Sequence, residues 1–277
     1  MHECIGDQLK RIQELELDAL KQFLAVCEKL NLTYYLLGGT LLGAVRHEGF
    51  IPWDDDIDVG MPRKDYEIFV KEASSYLPSP YFLQHRTTDP EYVGGFAKIR
   101  NSNTTFIETS VATLHINHGV FIDIFPLDFY PETKVRQFDL AKSILNLRVT
   151  CAYKKAEASF KTRVFRMLSC LICPTLSRAV VKREDLFCKI TSGNRIVNHY
   201  GAWGAKEIVP AEWYGEGKLL VFEGITCRVP VEYEKWLTQV YGDYMKLPPP
   251  EKRVSHHDTQ VIDLDQPYTK YIHRGGR

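Results

Sequence analysis

Three aspartates at alternate positions, Asp54, Asp56 and Asp58, are the residues of this 277-residue chain best suited to chemistry. In extended backbone, side chains at i and i+2 point the same way. Asp56 and Asp58 would therefore set two carboxylates about one metal ion apart, with Asp54 in the same parity. Mg²⁺ takes oxygen ligands in octahedral geometry and is commonly shared between one or two carboxylates and substrate phosphates; Mn²⁺ suits the same donors. An isolated D-x-D can equally be a solvated acidic turn. Two further features favour the metal. Gly38-Gly39 lies 17 residues before Asp56 and opens a helix, so backbone N–H groups can approach a phosphate closely. Asp123 sits in the apolar run Val120-Phe-Ile-Asp-Ile-Phe-Pro, where an unpaired carboxylate is costly, and is expected to face the same metals.

The elements that must position these residues follow from pattern. Leu9, Ile12, Leu20, Phe23, Leu24 and Cys27 recur at helical spacing and predict an amphipathic helix from about residue 7 to Leu30, closed by Asn31. Thr33-Tyr-Tyr-Leu-Leu reads as a buried strand entering Gly38-Gly39, with Thr40 placed to cap a short helix through Arg46. Asp54 to Met61 alternates carboxylates with apolar residues and predicts a strand ended by Pro62. Tyr66, Phe69, Val70, Ala73 and Leu77 form the apolar stripe of the next helix. Short strands are predicted at 81–86, 92–100, 103–108 and 119–125, so the first half is α+β or α/β with a mixed sheet.

Residues 131–200 change character and read as helical. Between Lys134 and Arg195 there are 14 Lys or Arg against four acids (Asp139, Glu157, Glu184, Asp185), a net of +10. Beyond them, Lys218 to Phe222 and Ile225 to Val229 predict a hairpin around Glu223-Gly224, and a helix ends near Tyr241-Gly242. The tail after Pro248 reads as polar and irregular. The chain thus divides into a catalytic core at 1–130, a basic helical insertion at 131–200, and a C-terminal part at 201–277 that completes the core and site.

Composition narrows the class. With 44% apolar residues the chain can bury one large core, with or without a second lobe. Its 35 basic and 35 acidic residues cancel, so no global attraction for nucleic acid is expected. Met1-His-Glu-Cys-Ile-Gly-Asp lacks the basic segment and apolar run of a secretory signal, and seven cysteines do not form a disulfide framework; a cytoplasmic protein is expected. Cys170-x-x-Cys173 lacks the partner pair that tetrahedral zinc needs. No repeat or membrane-spanning run is present.

A glycine turn, paired carboxylates and a later single carboxylate on another strand match the active-site plan of the nucleotidyltransferase fold. More specifically, Leu37-Gly-Gly-Thr-Leu-Leu-Gly-Ala-Val-Arg-His-Glu-Gly-Phe-Ile-Pro-Trp-Asp-Asp-Asp-Ile-Asp closely resembles the LicD family. The likeness continues through Phe96-Ala-Lys-Ile-Arg, Phe121-Ile-Asp-Ile-Phe-Pro and Tyr241-Gly-Asp-Tyr-Met-Lys-Leu-Pro-Pro, with Lys252-Arg253 and His256-His257 following. The resemblance implies a nucleotidyltransferase-like mixed sheet with an added basic helical lobe. It also implies metal-dependent transfer of phosphocholine, or a related phosphoalcohol, from a CDP-linked donor such as CDP-choline. The acceptor would be a hydroxyl of a cell-surface glycan or its lipid-linked precursor, as in lipopolysaccharide or teichoic acid assembly. Fukutin-related ribitol phosphate transferases share this core, so the alcohol stays open.

On this reading Asp56 and Asp58 hold one or two Mg²⁺ on the diphosphate, and Asp123 ligates a second metal and accepts the acceptor's proton. Gly38, Gly39 and Thr40 line the donor phosphates. Arg46, Lys98, Arg100, Lys252 and Arg253 are candidates for phosphate contacts. His47, His256 and His257 can bind phosphate, pair with a carboxylate or ligate metal, and Trp53 and Tyr244 can stack on cytosine, meet a choline cation or belong to the core. Two other classes share parts of this pattern. A nucleotidyltransferase acting on a small molecule or sugar, or a D-x-D glycosyltransferase, shares the metal chemistry, although Asp123 and the glycine pair count against the glycosyltransferase. An inactive binding module is disfavoured by retention of all three acids. The basic stretch and the apolar run from Val164 to Val181 suit either a peripheral surface for anionic lipid at the inner face of a membrane or an ordinary helical lobe.

Overall fold

A computed structural model describes residues 2–153, 167, 170, 174–255 and 257–272; His256, Cys173 and much of the first half of the apolar run at 164–181 lie outside the described residues. The first helix, α1 (His2–Leu30), ends at Asn31, whose left-handed φ of 52° turns the chain as expected. A two-residue strand, β1 (Tyr35–Leu36), leads into α2 (Gly38–His47), and β2 (Asp58–Pro62) runs directly into α3 (Arg63–Glu72). Then come β3 (Tyr81–Gln84), β4 (Ala97–Asn101), β5 (Thr105–Glu108) and the ten-residue β6 (Val120–Phe129). Helices α4 (Val135–Tyr153) and α5 (Leu176–Cys188) follow. The chain continues through β7 (Arg195–Asn198), β8 (Val209–Pro210), the hairpin β9 (Lys218–Phe222) and β10 (Ile225–Val229), α6 (Tyr233–Tyr241), and β11 (Thr259–Asp263).

The central sheet has the order β1-β2-β6-β4-β3, with β7 on the far half of β6 and β8 beside β7. Only the β2–β6 pair is parallel, so the sheet is mixed and the fold is α+β. Strand β6 is buried along nine of its ten residues, which explains its near-continuous apolar run and makes Asp123 and Asp128 stand out. Leu20 and Phe23 of α1 and Phe69 of α3 pack with Val59, Met61, Ile99, Ile122 and Ile124 of the strands into one core. Among the described residues no helix is long and apolar enough to cross a membrane.

Four local readings change. The strand expected over Asp54 to Met61 begins only at Asp58, because the Asp54 N–H donates to the Ile51 carbonyl (2.9 Å) in a turn. Thr40 does not cap α2, which begins at Gly38; its hydroxyl accepts the Asp58 N–H at 2.8 Å instead. The stretch read as helical to residue 200 closes with β7, which joins the central sheet. The tail read as irregular contains β11, and β11 takes β5 into a separate two-stranded sheet.

Where β2 meets α3, Arg63 clasps Asp128 of β6 through two 2.7 Å hydrogen bonds, and the Asp128 side chain is 1% exposed. Arg63→Leu leaves that carboxylate buried without its partner, so stability is expected to fall by about 3–5 kcal/mol. Urea unfolding measures this, and a change below about 1 kcal/mol would show that water replaces the guanidinium.

Candidate active site

Register places three functional side chains abreast. Asp58 of β2 pairs with Asp123 of β6, and Asp123 in turn pairs with Lys98 of β4. In-register neighbours point to the same face. Lys98, 5% exposed, reaches Asp123 Oδ1 at 2.8 Å and lies 3.4 Å from the Phe121 ring centroid. A fixed ammonium thus marks one side of the acidic face.

The glycine turn closes the other side. Gly38 has φ +52°, and a Cβ there would stand 2.7 Å from Asp58 Oδ2; one on Gly39 would stand 2.3 Å from Asp54 Oδ2. Only hydrogen side chains let the start of α2 approach both carboxylates. The Leu37 N–H donates to the Asp58 carbonyl (3.0 Å), which with the Thr40 contact locks this turn to the first residue of β2.

Asp55, out of parity with its neighbours, anchors the C-terminal segment. It accepts a hydrogen bond from the Ser255 hydroxyl and forms an ion pair with His257 Nδ1 (3.2 Å), and the His257 ring packs edge-on against Phe106 and Phe121. Of the uses open to His257, the structure shows pairing with a carboxylate. Burial works to lower its pKa, but the hydrogen bond and charge of Asp55, with Asp56, outweigh burial and raise it.

The carboxyls are strongly perturbed. Burial, then the charges of Asp56 and Asp55, push Asp54 up to about 8, against His257. Burial pushes Asp56 to about 6, with His257 opposing and Asp123 and Asp55 adding. Asp58 is driven well above the usual range by burial, then by Asp56 and Asp123; Asp123 is raised by burial although Lys98 opposes. A fifth acid, Glu16 of α1, is 2% exposed and is raised by burial and by this same group. Sequence reasoning missed Glu16, yet a signal existed: it lies four residues from both Ile12 and Leu20, within the helix's apolar stripe.

The basic candidates divide. Arg46 Nη1 donates to the Tyr244 carbonyl (2.7 Å) and its Nε to His47 Nδ1 (3.5 Å), while Arg253 donates to the Pro248 carbonyl (2.9 Å) with its guanidinium 5.5 Å from the Trp53 centroid. These residues gather where the C-terminal segment folds back on α2. Burial lowers the pKa of His47, with Arg46 adding. Lys252 is exposed on a short turn. Arg100 is fully buried, and its donors meet Gln84 Oε1 (2.6 Å), the Gly119 carbonyl (2.7 Å) and Glu108 Oε2 (3.3 Å). With no exposed surface, Arg100 clamps β3, β4 and β5 internally instead of presenting the phosphate contact expected of it. A cleft of about 990 Å³ between α4 and α5 is lined by none of the expected site residues.

Comparison with known proteins follows the same lines. Residues 31–165 match the protein family described as LicD/FKTN/FKRP, nucleotidyltransferase domain. Over 269 residues, 92% of this chain and 98% of the relative, the sequence is 32% identical to a Haemophilus influenzae protein named lipopolysaccharide cholinephosphotransferase LicD. It is 28% identical over 126 residues to ribitol 5-phosphate transferase FKRP of Mus musculus, covering 44% of this chain and 22% of that protein. The human counterpart is 27% identical over 107 residues, 37% of this chain and 21% of its own length.

Proposed function

The chain belongs to the LicD family, and from that premise we propose that it transfers a phosphoalcohol from a CDP-linked donor to a glycan hydroxyl with the help of Mg²⁺ or Mn²⁺. The observation that carries this reading is the row Asp58–Asp123–Lys98 facing the Gly38-Gly39 turn. Carboxylates buried this close together stay ionised only beside a cation, which is what their raised pKa values express. Among the described residues no three His, Cys, Asp or Glu side chains are near enough to enclose an ion by themselves. That fits an ion that takes one or two of Asp54, Asp56, Asp58 and Asp123 and completes its shell from substrate phosphate and water. When bound, the cation neutralises the diphosphate and stabilises the leaving nucleotide.

The chain's own groups do the rest. The backbone at Gly38-Gly39 approaches the diphosphate, and Arg46 and Arg253 hold charge at the rim. Asp123 accepts the acceptor's proton as that oxygen forms its bond to phosphorus; the bond to CMP breaks on the opposite side, and Lys98 keeps Asp123 ionised and aimed. Incubation with CDP-choline, CDP-ribitol or CDP-glycerol plus acceptor should release CMP and add a phosphoalcohol to the acceptor's mass. An added nucleotide or sugar, or no CMP from any donor, would sink the proposal. Asp123→Asn is expected to lower turnover about a hundredfold or more with donor affinity little changed, the range for loss of a general base. Weakened donor binding at unchanged turnover would remove that role.

A further inference from the structure

Lys98 has a second carboxylate neighbour that the proposed chemistry does not use. Glu108, the last residue of β5, places Oε2 3.9 Å from Lys98 Nζ and 3.3 Å from Arg100 Nη2. Burial works to raise its pKa, but the charges of Lys98 and Arg100, then His257, outweigh burial and hold it down at about 2, so Glu108 is ionised. Lys98 and Arg100 lie two apart on one face of β4, and both cations stand over the Phe121 ring, 3.4 and 4.5 Å from its centroid. Two cations this close and this deeply buried repel unless an acid stands by both. Glu108 is that acid. The cations do not depend on it equally. Arg100 also donates to Gln84 Oε1 at 2.6 Å and to the Gly119 carbonyl at 2.7 Å, both closer than Glu108, so its fork is held without that acid. Lys98 has Asp123 Oδ1 at 2.8 Å and then Glu108, and among the described residues no other carboxylate pairs with it. Glu108 is itself held by the C-terminal segment. It lies opposite Thr259 of β11, and the Thr109 N–H donates to the Asp258 carbonyl at 2.9 Å.

We propose that Glu108 is a positioning residue for the transfer: it draws the Lys98 ammonium to the Oδ1 side of Asp123 and so leaves Oδ2 open to the acceptor hydroxyl. This rests on the general-base reading of Asp123 above. A lysine ammonium is a compact point charge with three rotatable donors; with one carboxylate beside it, it settles astride both oxygens, and a second carboxylate behind it keeps it to one. Because β11 pairs with the end of β5, docking of the C-terminal segment sets this arrangement.

A double-mutant cycle on turnover, read together with the NMR signal of the ammonium, tests this in the full-length protein. The donor is whichever of CDP-choline, CDP-ribitol and CDP-glycerol releases CMP. Glu108→Gln keeps the shape and removes the charge; it should lower turnover about tenfold, a part of what a general base supplies, with KM for the donor unchanged. In a Lys98→Met background the same substitution should change turnover by less than about twofold, because the group it acts through is gone. The Nζ resonance of Lys98 in protein carrying isotope-labelled lysine, identified by its absence from Lys98→Met, should move in Glu108→Gln. Unchanged turnover in Glu108→Gln, a further loss of about tenfold in Lys98→Met, a raised donor KM in place of the lowered turnover, or a resonance that stays where it was overturns the proposal. A moved resonance with no CMP released by the wild type supports the hold of Glu108 on Lys98 and counts against the transferase reading alone.

Discussion

Asp58→Asn is expected to lower CMP release about a thousandfold or more and, in the metal-free protein, to raise the melting temperature. The first effect follows from the proposed metal-binding role of Asp58, which sits where β2, β6 and the glycine turn converge; electrostatic groups at such positions are worth this much in turnover. The second follows from the same geometry with the sign reversed. Without a cation, Asp58 lies half-buried beside Asp56, Asp123 and Asp54, and its loss of solvent and those charges oppose its ionisation. Asparagine keeps the shape against Gly38 and spares the folded protein the cost of either holding a proton or burying a charge there. Turnover at saturating Mg²⁺ and thermal melting in chelator check both arms. Near wild-type turnover would sink the metal assignment, and a lower melting temperature in chelator would sink the electrostatic account.

Metal-free protein is further expected to lose stability as the pH rises from about 6.5 to above 8, and Mg²⁺ to abolish that loss. An acid whose folded pKa is raised binds more protons folded than unfolded. Its contribution is fully present below the unfolded value, about 4, and is lost as the pH climbs through the folded values, about 6 for Asp56 and about 8 for Asp54. Two buried histidines act oppositely: burial lowers His199 to about 3 and His85 to about 4, so their contribution is present above about 6.5 and is lost as the pH falls. The two trends oppose one another between about pH 4 and 6.5; above that the carboxylates act, and the raised pKa of His257 works in the same direction. Urea midpoints at rising pH, with and without Mg²⁺, measure the slope. Asp54→Asn should flatten the metal-free curve; a curve that stays level or rises without metal would contradict the carboxylate assignment.

Local pattern carried most of the architecture. Helical spacing in α1, the hairpin around Glu223-Gly224 and the end of α6 at Gly242 all stand as read, since each is decided by residues near in sequence. Strand β11 was missed because Thr259-Gln-Val-Ile-Asp is half polar and its partner β5 lies some 150 residues earlier. The carboxylates were legible as an i, i+2 pair, although the backbone before Asp58 turns instead of extending. Lys98 and Arg100 looked alike in sequence, and register separates them. Lys98 lies opposite Asp123, whereas Arg100 lies opposite Phe121, one step further from the acids. Thr40 illustrates the same limit, because its hydroxyl serves a residue 18 positions away.

The latch on Asp55 also has a bearing on synthesis. Ser255 and His257 follow the acidic turn by about 200 residues, so a growing chain presents its acids long before the groups that hold Asp55 exist. At typical elongation rates that interval is on the order of ten seconds or more. Closing so long a loop costs little more than closing a short one, and β11 docking on β5 brings the segment next to its target. During the interval the nascent sheet carries the acidic turn with neither latch residue in place. Ions taken up by the emerging chain would then steady the turn before the last strand arrives, and translation in metal-depleted extract would leave a larger share of chains open to proteolysis there.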